Sequence, residues 1–189
     1  MVATVNVQEG NGSGPTWSNI TNGRYCLTDS KDPGTSFPCI VPVSGVARSF
    51  WKSHRLSWSG VGTQLSNIKW FGPGGTVKNT WELGTGGDVV VAKKATGPHG
   101  CDTYQQATGT ETTGHDIMDS TNGHACYKTS GSVVSIDTYT SANPLDVDNT
   151  VYGSGSGSSK HVVTQVVIGY DAVQGDKTDI TFTFQYDEI

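Results

Sequence analysis

The sequence predicts an all-β chain, folded as a single-domain β-sandwich of jelly-roll or immunoglobulin-like type with long loops and an extended N-terminal segment. Three observations carry this expectation. Apolar and polar residues alternate with period two in many segments, the signature of strands with one face turned inward. No window repeats apolar residues at i, i+3, i+4 and i+7 while avoiding Gly, Pro and β-branched residues, so helices are not expected. Turn signals such as "GNGSGP", "KDPG", "GPGG", "GTGG" and "TNG" separate the alternating segments.

Taken in order, Ala3, Val5 and Val7 alternate with Thr4, Asn6 and Gln8, which predicts a short opening strand. Residues 1–14 read as an N-terminal strand or arm, and 15–189 as the sandwich domain. Ser49 to Trp58, "SFWKSHRLSW", places Phe50, Lys52, His54, Leu56 and Trp58 on one face and Trp51, Ser53, Arg55 and Ser57 on the other. Two readings stand for it. It is a structural strand with Phe50, Leu56 and Trp58 inward and the basic heads in water, or an exposed recognition strip anchored by Trp51 and Arg55.

Further strands are expected at 67–71, 88–92 and 133–139. "HVVTQVVIGYDA" is fairly apolar on both faces, with Val162, Thr164, Val166, Ile168 and Tyr170 on one side and Val163, Gln165 and Val167 on the other, as expected of a central strand in a sandwich or of one at an oligomer interface. At the C-terminus Ile180, Phe182, Phe184 and Tyr186 form one face of a last strand. "GSGSGSS" at 153–159 reads as a mobile hairpin loop. The span from Thr96 to Lys128 is poor in apolar residues and reads as a long loop excursion from the core. These segments give on the order of eight strands around one core.

Composition narrows the partners. Only 34% of residues are hydrophobic and 15% charged, with 25 Gly, a turn-rich β composition. The net charge of −5 and pI near 5.4, with 12 Lys and Arg scattered along the chain, point away from nucleic acid and anionic membranes. No stretch nears the roughly 20 apolar residues of a membrane span. "MVATVNVQEGNGSG" has no basic start and no apolar stretch, so it does not read as a signal peptide, and synthesis in a cytoplasm is expected.

Chemistry-bearing motifs are sparse. The sequence contains no nucleophile elbow, no His-Glu-x-x-His and no phosphate-cradling Gly-rich loop, and no enzymatic activity or cofactor is expected. "DVDNT" at 146–150 starts like a calcium loop, then puts Val151 where the turn glycine belongs. The four cysteines fall into local pairs, Cys26 with Cys39 and Cys101 with Cys126, though three connectivities are open. Each local bridge closes a loop worth about 3 kcal/mol. "PHGCD" and "GHACY" place His99 with Cys101 and His124 with Cys126 on the same side of extended chain, a possible tetrahedral metal set. The spacing is not one of the common zinc patterns, and a Cys101–Cys126 disulfide or two free thiols needs no additional assumption, so no metal is expected.

Four stretches carry a resemblance: "MVATVNVQEGNGSG", "SFWKSHRLSWSGVGTQLSNIKWFGPGG", "TYTSANPLDV" and "TFTFQYDEI". In layout and in these short words the chain resembles small structural proteins of tailed bacteriophages. They share a strand beginning at the first Met, an aromatic and basic segment leading to "ISNIKWY"-like residues, and a "TFSYDE"-like terminal strand. The resemblance implies a virion component, a capsid decoration or cement protein on the capsid exterior that contacts the major capsid protein as a homo-oligomer, a trimer being favoured. Val2, Val5, Val7, Trp51 and Arg55 are then the interface candidates. The 96–128 excursion does not map onto the family pattern. Two other classes compete: a carbohydrate-binding sandwich module, given five Trp and seven Tyr, and a filament subunit that shares its N-terminal strand.

Overall fold

A computed structural model of the chain describes residues 2–189. It has two antiparallel sheets packed together, consistent with a single all-β sandwich-like domain. The strands are β1 (Thr4–Asn11), β2 (Thr16–Asn19), β3 (Val46–Arg48), β4 (Lys52–Val61), β5 (Leu65–Phe71), β6 (Asp88–Lys94), β7 (Gly131–Ser135), β8 (Leu145–Asp148), β9 (Gly155–Ser158), β10 (Val162–Gly169) and β11 (Thr183–Glu188). Among the described residues the one α-helix is a single turn, α1 (Val77–Thr80), and a 3-10 turn at Ile136–Thr138 follows β7. The expected strand at 133–139 is therefore cut at Ser135, whose side chain accepts from Asp137 N and starts that turn.

The large sheet runs β2-β1-β4-β10-β6-β7, and β5 lies between β8 and β11 in the small one. β3 and β4 act as one long strand with a break. Lys52 pairs with Thr164 and Arg48 with Val167, so Ser49, Phe50 and Trp51 stand opposite only Gln165 and Val166. This is a β-bulge, which bends the strand and re-aims its side chains. β9 and β10 likewise follow one another along β4.

Burial explains the double-sided apolar strands. On one face Leu56, Trp58, Val89, Val91, Val162, Val166 and Ile168 meet Leu65, Ile68 and Trp70 of β5 and Leu145 and Val147 of β8. Ile180, Phe182, Phe184 and Tyr186 close this core as the expected face of the last strand, although the strand itself starts only at Thr183. On the opposite face Trp51, Val90, Ala92 and Val163 meet Cys101, Ala107, Ile117 and Tyr127.

The 96–128 segment is thus not an excursion from the core. It is a third layer with its own buried side chains, needed because β6 and β10 are apolar on both sides. Gln165 fastens it: its Nε2 donates to the carbonyls of Ser49 at 2.8 Å and His115 at 2.7 Å. Gly114 lets it approach, since a Cβ there would lie 2.3 Å from Ser49 O.

The Gly-rich 153–159 segment is not a free loop either. Gly155–Ser158 pairs with β4, and a Cβ on Gly157 would lie 2.8 Å from the Trp58 ring. Glycine is required here for close backbone approach rather than for mobility.

Candidate functional sites

Each interface candidate has a definite place. β1 is not a free arm: it pairs with β4 along Thr4–Gly10 and with β2 along Gln8–Asn11. Val5 and Val7 pack against the main core, and only Val2, 87% exposed, stands clear. Trp51 is not an exposed anchor. It is 2% exposed, and its Nε1 donates to the Gln105 carbonyl at 3.0 Å. The bulge turns it into the second core, where its indole N–H finds a partner. Arg55 is half-buried, with its guanidinium 3.9 Å from the Trp17 ring centroid and Nε donating to Gln8 Oε1.

Lys52 does not keep its charge in water. Its Nζ donates to Glu9 Oε1 at 2.9 Å and to the Ser30 carbonyl at 2.6 Å. His54 Nε2 lies 3.2 Å from Glu9 Oε2, and Asn11 Nδ2 also donates to Glu9. Glu9 is wholly buried and Lys52 nearly so. Burial pushes the Glu9 carboxyl up, but hydrogen bonding and charge from His54 and Lys52 outweigh it and hold the group down at about 2. The sequence signal was present but unread: Glu9 follows Val5 and Val7 on an inward face, opposite His54 in the β1–β4 register.

The cysteines divide. Cys101 and Cys126 form a disulfide, with Cα atoms 6.2 Å apart. Cys26 and Cys39 are free thiols rather than a bridge. Cys26 Sγ turns to the Thr28 carbonyl at 3.3 Å. Burial, then the neighbouring Cys26, pushes the Cys39 thiol up to about 12.

Around the disulfide the structure assembles a set only partly foreseen. Cys101 Sγ and ring nitrogens of His124 and His161 lie within 4.8 Å of one another, all three residues buried. His99, the expected fourth member, is outside this set, and His161 takes its place. β10 begins one residue later, and His161 reaches Cys101 because their backbones form an antiparallel bridge. No local spacing announces that partner, 60 residues on from Cys101 by sequence number.

Nε2 of His124 and Nε2 of His161 are both buried without a hydrogen-bond partner. Burial, then proximity to His161, lowers His124 to about 3. Burial, then Arg55, lowers His161 to about 4. Both rings are therefore neutral at neutral pH.

His161 also forms part of the floor of an open cleft of about 380 Å³, walled by Trp17, Arg55, Tyr104, Tyr152 and Lys160. Tyr104 OH donates to Asp29, and Tyr152 OH donates to Asp148 Oδ2 at 2.7 Å. Asp148, from the stretch that starts like a calcium loop, instead accepts from Thr150 N, Tyr152 OH and Lys160 N.

A second feature lies on the surface. Phe37, Ile40, Val43 and Val46 are exposed, Val43 completely, while Cys39 and Val41 between them pack inward. Tyr170 N donates to the Gly45 carbonyl, bringing exposed Tyr170 beside this segment. Phe37 has φ 55°, a left-handed conformation unfavourable for a bulky side chain. No family model, curated protein or solved structure matches this chain.

Proposed function

We propose that this protein is an adhesive structural component of a tailed-phage particle. In this reading it is a decoration or cement protein on the capsid exterior, made in the host cytoplasm, and it stabilises the lattice by contact with the major capsid protein. Its function is binding, with no reaction to perform. The observation that supports the reading is the Phe37–Val46 segment. It holds exposed apolar side chains on a short stretch stiffened by Pro38 and Pro42 and anchored through Cys39 and Val41. An apolar strip on an irregular segment anchored against the core suits burial against a partner, and strain at Phe37 is of the kind that persists where a side chain must be presented. This segment replaces Trp51 as the contact of the proposal. A closed homo-oligomer, a trimer by preference, brings several copies of the strip to one lattice position. Co-sedimentation of the purified chain with capsid shells tests it. Saturable binding at a fixed ratio to the shell subunit is expected, and a chain that stays in the supernatant contradicts it.

A second reading is favoured by the cleft, whose aromatic walls and charged rim suit a sugar stacked on Trp17 or Tyr104. Quenching of Trp17 fluorescence by a glycan tests it. Four of the five Trp are buried in the two cores, so broad aromatic platforms do not support this version.

A further inference from the structure

The buried Cys101, His124 and His161 cluster has more donors than the disulfide uses. We propose that it is a redox-gated metal site: with the Cys101–Cys126 bridge reduced, Cys101 thiolate and the His124 and His161 imidazoles bind one zinc-class cation, with Cys126 as the adjacent fourth donor.

Two observations carry it. The three ligand atoms lie within 4.8 Å of one another. Zinc bonds of about 2.0–2.3 Å place tetrahedral ligands about 3.5 Å apart, so closing on an ion needs only about an ångström of inward movement. Both Nε2 atoms are buried without partners, although buried polar atoms are almost always satisfied. A cation supplies the missing partner for both.

The surroundings suit such a site as well. The Thr103 backbone lies beside the His161 ring and favours its protonated form, a neighbour placed to orient a ligating imidazole. His124 Nδ1 faces Cys126 N at a long 3.3 Å; binding through Nε2 puts the proton on Nδ1 and gives up that contact. Trp51 and Tyr127 flank His124, and Trp17 and Tyr104 flank His161, which makes a dry aromatic wall. The cleft that touches His161 gives the ion a path in. Mixed sulfur and imidazole ligation selects zinc or copper(I) over magnesium or calcium.

The redox step balances simply. Two electrons and two protons convert the S–S bond into two thiols. A cellular dithiol supplies them by exchange and becomes a disulfide, and in vitro a trialkylphosphine supplies the electrons and leaves as its oxide with oxygen from water. Zinc then displaces the Cys101 proton to solvent, and the Cys126 proton as well where that sulfur coordinates. A small-molecule disulfide takes the two electrons by thiol–disulfide exchange and leaves as two thiols, which re-forms the Cys101–Cys126 bridge and releases the ion.

The full chain is titrated with Zn(II) by calorimetry in the oxidised form and after phosphine reduction, and in parallel with Co(II), read by thiolate-to-cobalt charge-transfer absorption. The reduced chain is expected to bind one ion at least about 100-fold more tightly than the oxidised chain, and H124Q and H161Q each to weaken it at least about 10-fold. H99Q and C39S, outside the cluster, leave binding unchanged. Should reduction alone unfold the chain, reduction is repeated with Zn(II) present: retained circular dichroism with one ion bound supports the site, and unfolding with Zn(II) present overturns it. The wild-type chain gives a readout that needs no variant, since bound Zn(II) slows alkylation of Cys101. A reduced, folded chain without stoichiometric Zn(II), or one whose affinity ignores the disulfide, overturns the proposal.

Discussion

Lys52 Nζ and Glu9 Oε1 meet at 2.9 Å between β4 and β1, both side chains closed off from solvent. Removing one partner of such a pair leaves a bare buried charge, which costs about 3–5 kcal/mol. Glu9→Gln is therefore expected to lower stability by that amount in denaturant unfolding. Replacing Glu9, Lys52 and His54 together by apolar residues of similar volume costs less than Glu9→Gln alone.

Acid acts on the fold in two stages. His124 and His161 are lowered to about 3 and about 4 from 6.5, so the unfolded chain binds more protons than the folded one below pH 6.5. Their destabilising effect grows as pH falls from there. Glu9 is lowered from 4.5 to about 2; its contribution is present above 4.5 and lost as pH falls toward 2. Stability measured by urea titration should begin to decline near pH 6.5, and His124→Phe should make that decline shallower, with His161 still contributing. A flat profile between pH 6.5 and 5 contradicts neutral buried imidazoles.

Gly157 is held against Trp58. Gly157→Ala forces a Cβ into the indole and is expected to cost about 1–3 kcal/mol, whereas Gly153→Ala, with nothing within 4 Å of its Cβ, should cost little. Paired thermal melts of the two variants check the difference.

The second core makes a separate claim. Trp51→Ala empties the space between the large sheet and the 96–128 layer and should cost about 3–5 kcal/mol. Hydrogen exchange should then speed up in 96–128 more than in β5 and β8, which belong to the other core. Equal acceleration everywhere contradicts a distinct third layer.

How much of this was legible in the sequence depended on distance along the chain. Period-two alternation located β4, β6, β10 and the face of β11, because side-chain direction in a strand follows from adjacent residues alone. The two apolar faces of β10 even announced that both sides of its sheet are covered. What covers the second side was not readable, since the 96–128 layer contributes only scattered residues such as Ala107, Ile117 and Tyr127 and forms little regular structure. The bulge at Ser49–Trp51 also escaped, because it exists only relative to β10. In the same way His99 was expected beside Cys101 and His161 was missed: the decisive neighbour comes from strand pairing, which spacing does not encode. Lys52 reads as a surface base until the inward acid Glu9 on β1 is set opposite His54.

The adhesive reading rests on the Phe37–Val46 strip, and its most direct test is occupancy of capsid shells by the wild-type chain and by an Ile40→Asp, Val43→Asp variant. Both substituted side chains are exposed, so the variant should fold with stability within about 0.5 kcal/mol of wild type. The account predicts saturating decoration by the wild type and loss of at least about nine-tenths of it in the variant, as expected where a few buried apolar contacts dominate binding. Shells that bind both chains equally, or neither, contradict it.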